Sequence, residues 1–151
     1  MTVVSLRAVR ASDLEQFYEH QRDPAAIEMA AFAARDRPAF MAHWERILAN
    51  PTGLARTIVA DDVVAGNLVS FERDGLREVG YWIARSHWGR GVATAALTEF
   101  LSVETHRPLH AHVATHNIAS RRVLEKCGFS VLRELPDPQG DGVDEVLLRL
   151  T

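Results

Sequence analysis

The feature that most limits the fold of this chain is a change of hydrophobic period at Val92. Before it come three strand-like runs, Ala55–Ala60, Val63–Phe71 and Arg77–Ala84, with no helical pattern between them. Asp61-Asp62 separates the first two, and Asp74-Gly75, a favoured hairpin pair, lies between the second and third. Parallel neighbours need a crossover of about a dozen residues, so these runs predict an antiparallel meander. After it, Val92, Ala96, Leu97, Phe100 and Leu101 recur at helical spacing up to the stop at Pro108. A strand is predicted at Leu109–Thr115. Asn117 then caps a helix carrying Val123, Leu124 and Cys127 on one face, with Gly128 past its end. Phe129–Leu135 and Val143–Leu150 read as closing strands around a Pro- and Gly-rich loop from Pro136 to Gly142.

The N-terminal part is more helical. Val3–Arg7 alternates like a strand, and Ser12 with Glu15 forms a capping-box signal for a helix through about His20. Asp23-Pro24 breaks that helix, and Phe40, Trp44, Ile47 and Leu48 mark a second from Pro38 until Asn50-Pro51. The sum is a single-domain α/β layer fold over residues 1–151. Its mixed, mostly antiparallel sheet has about seven strands and is flanked by about four helices; a regular βαβ alternation is excluded.

The 151 residues carry a net charge of -3 with basic residues dispersed, so no electrostatic footprint for nucleic acid stands out. No apolar run approaches the roughly 18 residues that span a bilayer, and the first ten residues lack signal-peptide order; the expected compartment is the cytoplasm, without a membrane partner. The lone Cys127 has no partner for a disulfide or a CxxC site.

The strand around Glu78–Ala84 must turn into the Val92 helix through His87-Trp88-Gly89-Arg90-Gly91. Glycines let a ligand approach the backbone, and a helix N-terminus offers unpaired N–H groups and positive potential, so this junction suits a pyrophosphate. Glycines also serve plain tight turns. Two familiar phosphate motifs fail here: no Gly-Lys-Ser/Thr ending is present, and no acidic residue stands about 20 positions on, within Leu109–Val113.

Trp88–Thr94 (WGRGVAT) and Asn117–Phe129 (NIASRRVLEKCGF), in that order with a strand between them, resemble the GNAT superfamily of N-acetyltransferases, in particular the branch of ribosomal-protein N-terminal (Rim-type) acetyltransferases. The resemblance extends over nearly the whole chain and is weakest in the N-terminal helices. It implies acetyl-CoA as co-substrate and no metal. The pyrophosphate would lie on backbone amides of Gly89, Arg90, Gly91, Val92, Ala93 and Thr94, and the pantetheine arm would pair with the strand near Ile83. Asn117 and Ser120 would contact the cofactor; Arg121 and Arg122 are candidates to reach its ribose phosphate or are plain solvated charges at the helix start. Trp88 stands where the broad superfamily has Gln or Arg, which moves phosphate binding onto the amides. Many members also carry a tyrosine acid seven residues after the motif asparagine; Leu124 excludes one here.

Acetylating an amine requires removing a proton, since an α-amino group titrates at about 8 and a lysine at about 10.4. Glu78 is the favoured base or water-orienter: it shares a strand face with Gly80 and Trp82, and desolvation beside Trp82 is expected to raise its pKa. His112 is the second candidate and a water relay the third. Ser120 shares an inward stripe with Leu124 and Cys127 and is the candidate acid toward the CoA sulfur, or a plain helix-end hydroxyl. A backbone N–H near Trp82 or Ile83 would meet the oxyanion. His110, His112 and His116 share one strand face by period-two counting, but direct acyl transfer needs no metal there. Met29, Phe32 and Trp44 are candidates for the acceptor pocket or for core.

The leading reading is therefore an N-acetyltransferase moving acetyl directly to a primary amine, at a peptide or protein N-terminus or on a small molecule. The competing one is a non-catalytic acyl-CoA-binding or sensing module. The acceptor is expected to be set by Asp23–Ala49 and Pro136–Asp144; no motif fixes it, nor decides whether the chain forms a homodimer.

Overall fold

The computed structural model describes residues 2–31 and 34–151. Its strands are β1 (Val4–Arg7), β2 (Leu54–Ala60), β3 (Val63–Arg73), β4 (Leu76–Ile83), β5 (Leu109–Ala114), β6 (Ser130–Leu135) and β7 (Glu145–Leu150). The α-helices are α1 (Asp13–Gln21), α2 (Pro24–Ala30), α3 (Arg37–Ala49), α4 (Val92–Phe100) and α5 (Ile118–Lys126), with one 3-10 turn at Arg85–His87. The strands form a single sheet in the order β1-β2-β3-β4-β5-β7-β6. All neighbours are antiparallel except β4 and β5. This is the mostly antiparallel seven-stranded α/β fold that the sequence predicts.

The meander turns are built as expected. Asp61 and Asp62 take φ of 49° and 67°, and Asp74 and Gly75 take 51° and 79°, the paired positive φ values that match hairpin twist. Helix count is the difference: α2 makes five where about four were expected. Asp23-Pro24 does break α1, but it also starts α2, because Asp23 Oδ1 accepts from the Ala25 amide at 3.0 Å and Pro24 occupies the first turn, where its missing N–H costs nothing. The expected Ser12 cap makes no side-chain bond. Asp13 serves α1 instead, accepting from the Arg10 amide at 2.8 Å, from Thr57 Oγ1 at 2.7 Å and from both terminal nitrogens of Arg7.

Each face of the sheet carries its own core. Val92, Ala96, Leu97 and Phe100 of α4 and Leu124 of α5 pack on Leu68, Val79, Ala111, Val113 and Leu148. On the other face, Phe17 of α1 and Phe40 and Trp44 of α3 cluster with Ala55 and Val69, the Phe17 and Trp44 rings 5.0 Å apart. A fully buried side chain the size of Leu97 or Phe100 contributes about 1.5–3 kcal/mol, so α4 is fixed by its apolar stripe.

Two irregularities shape the middle of the sheet. The β2–β3 register shifts between Ile58 and Val59, which leaves an extra residue on β3. The adjacent Gly66 approaches β4 so closely that a Cβ there would lie 2.1 Å from the Trp82 carbonyl oxygen. In addition, β4 and β5 share a single register pair, Glu78 with His110. Beyond it the two strands part, and a cavity of about 140 Å³ lies between Val79–Tyr81 and Ala111–Ala114.

Candidate active site

The cradle begins where β4 ends. Gly89 and Gly91 adopt φ of 73° and 74°, and a Cβ at either would meet nothing within 4 Å. Backbone conformation, not crowding, therefore demands glycine at both. Gly91 is the N-cap of α4 and provides no side-chain bond; its carbonyl accepts the first helical bond, from Ala95. The amides of Val92, Ala93 and Thr94 consequently have no acceptor within the helix and gather at its positive end. These three residues, with Gly89 and Gly91, line a cavity of about 500 Å³ that extends past Ile83 to Asn117 and Ser120. A phosphate fits such a set of donors.

The side chains of Trp88 and Arg90 have partners of their own. The Trp88 indole nitrogen donates to the Ile83 carbonyl at 3.0 Å, and its ring lines the cavity. The Arg90 side chain pairs with Asp61 at 3.1 Å and reaches Thr2, away from the cavity lining. Arg122 lines the cavity and Arg121 does not; Lys126 and Met29, from α5 and α2, also line it. Trp44 lies in the core with Phe17 and Phe40 and not in an acceptor pocket, and Phe32 lies outside the described residues.

Backbone parity decides which β4 groups face the opening. The Ala84 amide donates to Ala65 at 2.8 Å, so Ala84 and every second residue before it bond to β3. Ile83 and Tyr81 occupy the alternate positions and turn their amides toward β5. Trp82, one of two residues expected to supply an oxyanion donor, belongs to the β3-bonded set.

At the start of α5, Asn117 Oδ1 accepts from the Ser120 amide at 3.2 Å and caps the helix. Tyr81 reaches across from β4: its hydroxyl lies 2.7 Å from Ser120 Oγ and donates toward the Ser120 carbonyl at 3.2 Å. Tyr81, Asn117 and Ser120 line both the large cavity and the smaller one between the strands, so the two meet there. Burial pushes the Tyr81 phenol up to about 12, against the opposing effect of its Ser120 bond.

On the opposite face of the sheet, alternation carries Glu78 of β4 and His112 of β5 to the same side. His112 Nδ1 is 2.5 Å from Glu78 Oε1, and Arg73 binds both Glu78 oxygens at 2.7 and 3.0 Å. Burial pushes the Glu78 carboxyl up, but the bonds to and charges of His112 and Arg73 outweigh it and hold the group below its usual range. The raised pKa expected beside Trp82 is thus not found: the buried Glu78 is a paired carboxylate. His112 lines the smaller cavity.

Of the three histidines expected on one strand face, His110 and His112 share it by alternation along β5, and only His116 leaves it. His110 is buried opposite Arg149, and His116 falls beyond the end of β5, where its Nε2 lies 3.1 Å from the Glu28 carbonyl of α2. Among the described residues, no group of three metal-ligating side chains comes together, and no helix is long and apolar enough to cross a membrane.

A helix N-terminus with free amides, a place suited to an anion, here opens onto a gap between a splayed parallel strand pair. The model of the acetyltransferase (GNAT) domain matches residues 4–130, and the chain belongs to that family. No curated protein sequence matches it. Among solved structures it is similar to spermidine N-acetyltransferase from Vibrio cholerae in complex with CoA and spermine, with 16% identity over 97% of this chain and 94% of that one and a TM-score of 0.83. It is also similar to RimL, a ribosomal L7/L12 α-N-protein acetyltransferase in complex with CoA, with 16% identity, 97% and 92% coverage and a TM-score of 0.82. Mycobacterium smegmatis RimJ in complex with CoA-disulfide shares 24% identity over 98% of this chain and 81% of that one, with a TM-score of 0.77.

Proposed function

We propose that the protein transfers acetyl from acetyl-CoA directly to a primary amine within a ternary complex. The observation that carries this reading is continuity: the cavity lined by the free amides of α4 meets, at Tyr81 and Ser120, the gap between β4 and β5 that His112 lines. CoA phosphates would rest on the amides of Val92–Thr94 and on Gly89 and Gly91, with Arg122 and Lys126 as cations along the rim. The pantetheine arm would follow β4, taking a donor from one of the Ile83 and Tyr81 amides, since Trp88 already holds the Ile83 carbonyl.

His112 and Glu78 divide the proton work. A contact of 2.5 Å to a carboxylate places the proton on Nδ1, which leaves the lone pair on Nε2 for the acceptor amine. Arg73 Nη2 lies 3.1 Å from the same Nδ1, but the shorter contact to an ionised oxygen governs the tautomer. Glu78 orients the ring and stabilises the imidazolium that forms as the amine attacks. Whichever of the Ile83 and Tyr81 amides the arm leaves free meets the oxyanion, and Ser120 hydrogen-bonds the departing sulfur. The motif resemblance to the Rim-type branch favours a peptide or protein α-amine, whose ordinary pKa near 8 makes the least demand on the base.

Thiol release from acetyl-CoA tests the division. His112→Ala is expected to lower kcat by about 100-fold and Glu78→Gln by less, because positioned proton transfer contributes about 100- to 10,000-fold and the imidazole survives in the second variant. The reverse order would make Glu78 the base.

A further inference from the structure

We propose that Tyr81 is a positioning residue that holds the Ser120 hydroxyl so that its proton is presented to the sulfur of departing CoA. The inference rests on the acetyl-transfer reading above. Tyr81 lies on β4 with Val79 and Ile83, on the face that α5 covers, and its hydroxyl reaches the first turn of that helix: Ser120 Oγ at 2.7 Å and the Ser120 carbonyl at 3.2 Å.

Two hydroxyl protons serve three oxygens, in either of two arrangements. In the closed one, Tyr81 donates to the Ser120 carbonyl and Ser120 donates to Tyr81, so both protons stay within the pair. In the open one, Tyr81 donates to Ser120 Oγ and the serine proton turns outward. The change releases only the Tyr81 bond to a carbonyl that, inside a helix, also receives the N–H four residues on. An anion at sulfur drives it, because a hydrogen bond to an ionised acceptor is roughly twice as strong as a neutral one. A serine in the first turn without such a partner tends to bond back to its own backbone. Tyr81, half-buried and with its phenol pushed up to about 12, keeps its own proton throughout. The amine proton goes to His112, and the thiolate leaves hydrogen-bonded to Ser120 and is protonated by water. The pair lies where the two cavities meet, between the phosphate cradle and the gap in the sheet.

The test uses Tyr81→Phe, Ser120→Ala and the double variant, with two readouts. In steady state, Ser120→Ala is expected to lower kcat about tenfold or more, Tyr81→Phe nearly as much, and Tyr81→Phe in the Ser120→Ala background no further, with KM for acetyl-CoA within about twofold throughout. At equilibrium, the titration midpoint of the thiol of bound CoA, followed by thiolate absorbance, is expected to rise by about one pH unit in each single variant relative to wild type. Independent losses that multiply in the double variant, or an unchanged midpoint in Tyr81→Phe, would overturn the proposal. The titration needs no turnover, so it tests the pair even where wild type acetylates no amine offered, an outcome that would instead sink the acetyl-transfer reading.

Discussion

Replacing Gly91 by valine separates the backbone cradle from its flanking charge. Gly91 holds φ at 74° and ψ at 9°, and a Cβ there meets nothing within 4 Å, so the substitution causes no collision. Its cost is conformational: about 1–2 kcal/mol for a left-handed residue, and more for a β-branched one. That strain is relieved by rotating the Gly91 peptide, which turns the α4 amides out of the cavity. A hydrogen bond to a charged group contributes about 1.5–3 kcal/mol, so losing one weakens binding by roughly 10- to 150-fold. Calorimetric titration with CoA should therefore show at least a tenfold rise in Kd for Gly91→Val. Arg90→Ala should change Kd by less than about threefold, because that guanidinium is engaged by Asp61 in an exposed pair of small worth. Gly75→Val is the control: Gly75 has φ of 79°, equally open surroundings and a place in the β3–β4 hairpin away from the cavity. It should lower the unfolding midpoint as Gly91→Val does and leave Kd unchanged. Equal effects of Gly91→Val and Arg90→Ala on Kd, or a larger effect of Arg90→Ala, would refute the assignment of phosphate binding to the amides.

Two further outcomes follow from the fold. Gly66→Ala places a Cβ against the Trp82 carbonyl and should destabilise by about 1–3 kcal/mol in urea unfolding, since β3 must move off β4; an unchanged midpoint would contradict the close approach. Asp13, held down to about 2 from an ordinary 3.8 against the opposing effect of burial by Arg7, the Arg10 amide and Thr57, is deprotonated in the folded protein at pH values where the unfolded chain binds a proton. Its contribution of roughly 2.5 kcal/mol is complete above about pH 5 and is lost as pH falls toward 2. Asp13→Asn should remove that part of the acid dependence, and an unaltered acid limb would exclude the assignment.

What was legible in the sequence is local. The turns at Asp61-Asp62 and Asp74-Gly75, the glycine cradle and the Asn117 cap are written in residues whose neighbours in sequence are their neighbours in space. Helix α2 was hidden because Asp23-Pro24 ends one helix and starts the next, and a break and a cap use the same residues. The pairing of Glu78 with His112 spans 34 positions and depends on one parallel register pair, Glu78 with His110, which no periodicity encodes. For the same reason the Glu78 pKa moves opposite to expectation: desolvation was foreseeable from the strand, but Arg73 and His112 were not. Tyr81 was missed although its position is odd for a polar tip, on an apolar strand face between Val79 and Ile83. Finding its partner required knowing that the first turn of α5 lands opposite.

The most direct test of the account is acceptor-dependent release of free thiol from acetyl-CoA by the wild-type protein, with peptide N-termini, polyamines, aminoglycosides and small amines offered in turn. Thiol release above the hydrolytic background is expected with at least one primary amine, in equal amount to acetylated product, and strongly reduced in His112→Ala. Tight CoA binding with no turnover on any of these amines would contradict it and leave a non-catalytic acyl-CoA-binding module.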